Sequence, residues 1–270
     1  SDRISGFRGS SKHIKSIRKM NILDTILDAK RQEIKHIKDV KIQKIQPRSL
    51  KQALSSSGIS VIAEIKMKSP SEGDIFPNAD PVQIAKEYES AGASAISVLT
   101  DEQFFGGSLD ILTAVRKAVS IPVIRKDFII DEKQILETVH HQADAFLLIA
   151  DALDQDALQQ LMNDGNKAGL EFLVEYHDEE HAEYIFVLNP EIVGINCRNL
   201  KTMTTDISYF ERMISSLPSN SIKVAESGIS TSADLKYVSD LGYDAVLIGT
   251  SFMKTRNPGK ALETLLEGRS

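Results

Sequence analysis

The feature that most restricts this chain is a repeated beat of short apolar runs. Runs rich in β-branched residues occur at Val61–Ile65, Ala95–Leu99, Pro122–Arg125, Ala145–Ile149, Glu171–Val174, Ile192–Ile195, Ile222–Ala225 and Ala245–Ile248. Between them lie stretches of helical pattern, among them Pro81–Ala91, Leu109–Ala118, Glu132–His140, Ala157–Ala168, Glu179–Phe186, Ser208–Ser215 and Ala233–Asp240. The strand starts are about 21 to 34 residues apart. Strand-then-helix at that period forces parallel strands joined by right-handed crossovers. Eight such units in about 210 residues fit a closed barrel better than an open sheet. No G-x-G-x-x-G follows any strand, as an open nucleotide-binding sheet would want. The expected fold class is α/β, a single (β/α)8 TIM barrel.

Before the first strand, Ile22, Leu23, Ile26, Leu27, Ile34 and Ile37 recur at three- and four-residue spacing, and a second helical piece runs from Ser49 to Leu54. No linker composition divides residues 20–270, so they are expected to form one barrel whose N-terminal helices cover its mouth. Residues 1–19 are rich in Ser, Gly, Lys and Arg and lack the apolar core of a signal peptide. They read as a disordered leader or a cloning remnant, with Met20 as the natural start. The Lys/Arg-rich face of residues 30–44 reads as a solvated helix surface.

Composition excludes several function classes. A net charge of -6 gives no reason to expect a nucleic-acid partner. One cysteine, Cys197, rules out an internal disulfide and suits the cytoplasm. No apolar run reaches the roughly 18 residues of a membrane span. A monomer is expected.

In such a barrel, chemistry gathers where strands end at their carboxyl side. The first strand delivers Glu64 and Lys66, two apart and so on one face, followed by Ser69-Pro70-Ser71. A lone Glu-x-Lys is ordinarily a structural ion pair. The third strand ends Arg125-Lys126-Asp127-Phe128, the fifth at Glu175, the sixth at Asn196-Cys197-Arg198-Asn199-Leu200, and the seventh at Glu226-Ser227-Gly228. Two lysines, three glutamates and an asparagine converging on one rim go beyond a structural ion pair. Gly228, with Gly249-Thr250 after the eighth strand, makes turns whose free backbone N–H groups suit a phosphate. Phe105, Phe128, Leu147 and Leu200 supply walls wide enough for an aromatic ring. Burial and a second cation, Lys66 or Arg125, are expected to lower the pKa of Lys126 toward that of a working acid. Glu175 faces it as base or proton shuttle. The substrate reads as a sugar phosphate carrying an aryl group.

His177 and His181, four apart with acids between them, read as a solvated helix start rather than a metal pair. His140-His141 reads as a helix end, where cations suit the dipole.

Glu64-Ile65-Lys66 with Ser69-Pro70-Ser71, Ser97-Val98-Leu99-Thr100, Phe105-x-Gly107-Ser108, Arg125-Lys126-Asp127-Phe128, Gly194-Ile195-Asn196-x-Arg198-x-Leu200 and Ala225-Glu226-Ser227-Gly228-Ile229 occur in that order. Together they resemble the signatures of the indole-3-glycerol phosphate synthase family, and the helices before the first strand match that family too. The resemblance implies cyclisation of 1-(2-carboxyphenylamino)-1-deoxyribulose 5-phosphate with loss of CO2 and water, in tryptophan biosynthesis. It implies Lys126 as general acid and Lys66 on the substrate carboxylate. It implies Glu175 as base or shuttle, and Glu64, Asn196 and Ser227 as groups that place the others. Gly228, Gly249 and Thr250 would hold the phosphate, with Ser69 assisting. Arg198 and Glu226 join the substrate-binding set. No cofactor and no metal are implied. Departures from the family are Glu72, where a basic residue is common, Cys197, Asn199 and Tyr176. A solvent-exposed thiol at Cys197 would make the enzyme sensitive to oxidants. Rival readings are an isomerase or Schiff-base aldolase on a similar barrel, and a phosphate-binding barrel without catalysis.

Overall fold

In the computed structural model, which describes residues 21–38 and 46–268, eight parallel strands close into a barrel. They are β1 (Ser60–Ile65), β2 (Ala95–Leu99), β3 (Val123–Lys126), β4 (Ala145–Ile149), β5 (Glu171–Tyr176), β6 (Ile192–Asn196), β7 (Ile222–Glu226) and β8 (Ala245–Ile248). Closure is made by β1, which pairs with β2 (Ile62 opposite Ala95) and with β8 (Ser60 opposite Ala245). The leader expected over residues 1–19, and residues 39–44 of the basic face, lie outside the described residues.

Among the described residues, two α-helices precede the barrel, α1 (Ile22–Glu33) and α2 (Leu50–Leu54). The helices that follow the strands are α3 (Pro81–Ser90), the short α4 (Glu102–Phe105) with α5 (Leu109–Ala118), α6 (Glu132–His140), α7 (Gln155–Ala168), α8 (Ala182–Leu188), α9 (Tyr209–Met213), α10 (Ser232–Asp240) and the pair α11 (Thr250–Lys254) and α12 (Pro258–Glu267). His141 caps α6, as expected from the His140-His141 helix end. The stretch expected as a helix from Glu179 starts as one 3-10 turn and becomes α-helical at Ala182.

The two N-terminal helices sit at opposite ends of the barrel. Helix α2 is tied to residues that precede or open strands: Arg48 N–H donates to Asp144 before β4, and the Ser49 hydroxyl donates to Glu171 at the start of β5. Leu50 and Leu54 join the apolar lumen cluster from that floor. Helix α1 packs Leu23, Ile26 and Leu27 against the other rim, beside Phe104, Phe105 and Phe128. The expectation that both helices cover the mouth is therefore corrected for α2. A five-residue helix that buries only Leu50 and Leu54 is too short to roof a mouth, but it fills the narrow floor.

Two cores result. The outer one lies between strands and helices, and the inner one fills the lumen. Along each strand successive side chains point to opposite sides, so each strand feeds both cores.

Candidate active site

The lumen changes character within one step of the pleat. Ile62, Ile124, Leu173 and Val224 are apolar members of the inner core on β1, β3, β5 and β7. Two residues further along the same faces stand Glu64, Lys126, Glu175 and Glu226. Barrel interiors are built in layers of four side chains drawn from alternate strands, and here the uppermost layer is three carboxylates and one ammonium. Lys66, just past the end of β1, adds the second ammonium.

The geometry pairs these charges unequally. Lys126 Nζ lies 3.0 Å from Glu175 Oε2 and 3.9 Å from Glu226 Oε2. Lys66 Nζ lies 3.0 Å from Glu64 Oε1, and Ser97 Oγ donates to Glu64 Oε2 at 3.3 Å. Asn196 Nδ2 donates to Glu175 Oε1 at 3.4 Å, while Asn196 Oδ1 accepts from Ser227 Oγ at 2.9 Å. Glu226 Oε1 is buried without a hydrogen-bond partner among the described residues. Burial and the neighbouring Glu175 push the Glu226 carboxyl well above the usual carboxylate range, against the pull of Lys126. Burial opposes the charge on Glu64, but Lys66 and Lys126 prevail and hold its carboxyl below the usual range.

Lys126 departs from expectation. Burial alone would lower its pKa, but Glu175, Glu226 and Glu64 outweigh that and raise it. Neither cation expected to depress it, Lys66 or Arg125, is among the leading influences on it. Arg125 is the neighbouring residue of β3 and so projects to the other side of the sheet. There it donates to Gln134, Thr138, Asp127 and Glu137.

Two glycines shape this layer. A Cβ on Gly194 would fall 2.2 Å from Glu226 Oε1, and one on Gly249 would fall 2.7 Å from Glu64 Oε1. Both positions make room for a carboxylate of this layer. Gly194 interrupts a strand, a sequence signal of close approach that singles it out; for Gly249 the expectation was a phosphate turn only.

A cleft opens above the layer, lined by apolar walls and a few convergent polar groups, as small-molecule sites are. It gathers Glu64, Lys66, Lys126, Glu175, Asn196, Glu226 and Ser227 with Ser69, Arg198 and the apolar walls Phe105, Phe128, Leu147 and Leu200. The Phe105 and Phe128 rings stand 6.1 Å apart at their centroids. A second recess continues it. This one is lined by Gly228, Gly249 and Thr250 with Lys254, and it shares Glu64, Lys66, Arg198 and Ser227 with the first. Ser227 and Gly228 both take left-handed backbone, at φ 70 and φ 73, which turns the chain sharply over the recess. Helix α11 opens at Thr250 beside it. Glu226 lines the first cleft and not the glycine-turn recess.

The β1 loop reaches across this recess. Glu72 pairs with Lys254 at 2.6 Å, and Arg198 Nη1 donates to Ser71 Oγ at 3.3 Å. Lys254, four residues after Thr250, was not expected at the site.

Three further expectations are corrected. Cys197 is not exposed: it is buried, and burial pushes its thiol up to about 12, the opposite of a reactive thiolate. His177 and His181 are half-buried rather than solvated. His177 stacks on Tyr209 at 4.8 Å and contacts the carbonyl of Asn196 through Nδ1. His181 stands 3.7 Å from Asp151, whose oxygens already accept the N–H groups of His177 and Asp178. Finally, Lys30 is no part of a solvated face, since its side chain is 1% exposed among carboxylates.

Comparison with known proteins agrees with this geometry. The sequence signature described as indole-3-glycerol phosphate synthase matches residues 11–265. The chain belongs to the indole-3-glycerol phosphate synthase family. A relative of that name from Halalkalibacterium halodurans is 44% identical over 92% of this chain and 97% of its own length. Another, from a Geobacillus species, is 48% identical over 86% of this chain and 92% of its own. Membership makes the chain a carboxy-lyase of tryptophan biosynthesis. A solved mandelate oxidase mutant carrying an FMN adduct shares the fold at TM-score 0.59 and 14% identity, covering 83% of this chain and 80% of its own. No helix among the described residues is long and apolar enough to cross a membrane.

Proposed function

We propose that the cleft binds 1-(2-carboxyphenylamino)-1-deoxyribulose 5-phosphate and closes its indole ring in three linked events. The aryl group lies against the wall made by Phe105, Phe128, Leu147 and Leu200. The phosphate lies over the backbone N–H groups of Gly228, Gly249 and Thr250, where helix N-termini favour anions. Lys66 and Arg198 hold the aryl carboxylate, with Ser69 beside them.

In the first event the ring carbon bearing the carboxylate attacks the ribulose carbonyl carbon, and Lys126 gives a proton to the carbonyl oxygen. A raised pKa keeps that proton in place across neutral pH, and attack makes the oxygen basic enough to take it. In the second the aryl carboxylate leaves as CO2 and its bonding pair restores the aromatic ring. In the third the new hydroxyl leaves as water, with Lys66 in reach as donor, and Glu175 takes the proton that completes the indole. Glu175, 3.0 Å from Lys126, can return that proton to it. Glu64 and Asn196 position Lys66 and Glu175, and Ser227 steadies Asn196.

The observation that carries the reading is the charged layer between an aryl wall and a glycine-turn recess within one cleft. The reading has the enzyme act as a cytoplasmic monomer on this phosphorylated small molecule, without nucleic acid, cofactor or metal. It is tested by adding the substrate to purified protein and following indole fluorescence together with released CO2. Equal amounts of both products support it. Substrate consumed without CO2 would replace it with an isomerase-type reaction.

A further inference from the structure

The mechanism leaves two buried cations, Lys30 and Arg125, unused, and Lys30 is the one that comes from outside the barrel. Lys30, on α1, places its ammonium 3.0 Å from Asp101 Oδ2, 2.9 Å from Asp127 Oδ1 and 2.9 Å from Glu33 Oε2. Asp101 and Asp127 are themselves buried, and each belongs to a different wall of the aryl pocket. Asp101 caps α4, accepting the N–H groups of Phe104 and Phe105. Asp127 directly follows Lys126 and accepts the N–H of Phe128 on the same oxygen that Lys30 holds. Its other oxygen accepts Thr100 Oγ1 at 2.6 Å and Arg125 Nη2 at 3.1 Å. One ammonium thus joins the helix before the barrel to the turns that carry Phe105 and Phe128. The apolar face of α1 lies on the same aromatics.

We propose that Lys30 is a positioning residue that sets the spacing of the Phe105–Phe128 wall and with it the seat of the substrate's aryl group. It never touches the reacting atoms. The argument is geometric: a lysine stem is flexible, but an ammonium held by carboxylates from three elements has one place to be. Charge balance alone would not require the bridge to come from α1, since Arg125 already stands beside Asp127. The phosphate end is separate from this cluster: among the described residues, no hydrogen bond or ion pair joins a residue lining that recess to Lys30, Asp101 or Asp127.

The proposal rests on the ring-closure reading and is tested against it. Two variants are compared with the parent. In Asp101→Asn the α4 cap keeps an acceptor but loses its charge toward Lys30. In Lys30→Met combined with Asp101→Asn, the ammonium and one of its carboxylates leave together, which limits uncompensated burial. Inorganic phosphate binding and turnover are measured in both. The expected result is phosphate affinity within about twofold of the parent in each. In the double variant kcat/KM falls tenfold or more, mostly through KM, and in Asp101→Asn it falls severalfold. Unchanged KM in folded variants overturns the proposal, as does a loss of phosphate affinity parallel to the loss of turnover, which marks general damage. If the double variant does not fold, Asp101→Asn alone decides by the same two readouts. A parent that fails to turn over the substrate would instead strike the ring-closure reading.

Discussion

Two groups of charges meet at the end of β3, and they differ in how completely they are satisfied. Arg125 and Asp127 flank Lys126 in sequence, yet they belong to a cluster outside the lumen with Lys30, Asp101, Glu137 and Thr100. There each buried charge meets opposite charge or a hydrogen-bond donor. In the lumen, Glu226 keeps a buried oxygen with no partner among the described residues, and one lysine serves two carboxylates. A saturated cluster is what folding alone favours, since unpaired buried polar groups cost stability. An unsatisfied one persists where a ligand completes it. The difference separates framework from chemistry among side chains of the same kinds.

That comparison can be broken at several points. The largest effect is expected from Lys30→Met, which leaves Asp101 and Asp127 without their shared cation. Removing one partner of a buried pair costs about 3–5 kcal/mol, read by urea denaturation. The sign with pH follows from a folded pKa raised above the ordinary 10.5. Lys30 contributes fully below 10.5, and its contribution fades as pH climbs through the folded value. The gap between parent and variant should therefore be whole at neutral pH and narrow only in strong alkali. A gap that narrows toward acid would contradict the assignment.

Next comes Glu175→Gln, for which kcat should fall about 10²-fold, within the range of general acid–base groups. Losing the carboxylate that most raises Lys126 should also shift the alkaline limb of kcat/KM to lower pH, because the acid works protonated. An unmoved limb would show that Lys126 does not set it. Gly194→Ala should follow: a methyl 2.2 Å from Glu226 Oε1 overpacks the layer. Overpacking costs about 1–3 kcal/mol, and here turnover should fall with stability. Normal activity in that variant would mean Glu226 can move without consequence.

The smallest effect concerns Glu72, which occupies Lys254 beside the phosphate recess. An exposed ion pair contributes about 0–1 kcal/mol, so Glu72→Gln should free Lys254 and lower KM by no more than about fivefold, with kcat unchanged. A raised KM would reverse the role given to this contact.

Much of this was legible in the chain. The eight strands follow from β-branched runs, and Ala95–Leu99, Ala145–Ile149 and Ala245–Ile248 match to the residue. Glu64, Lys126 and Glu175 could be named because strand ends project onto one rim. What escaped depends on partners distant in sequence. The helical pattern around Lys30 reads lysine as solvent-facing, and nothing local announces Asp101 and Asp127. The pKa of Lys126 turns on three carboxylates from three other strands. Burial of Cys197 reflects the chain folding back, with Asp206 N–H bonded to its carbonyl and Arg198 bridged to Thr205. The floor position of α2 rests on Glu171 and Asp144, each about a hundred residues away.

The most direct measurement is kcat of Lys126→Met at saturating substrate, with its urea midpoint beside it. If the lumen layer is there for chemistry, kcat falls about 10²–10⁴-fold while the stability loss stays smaller than that of Lys30→Met. Turnover that survives in Lys126→Met, or a stability loss exceeding that of Lys30→Met, would contradict the division between the two clusters.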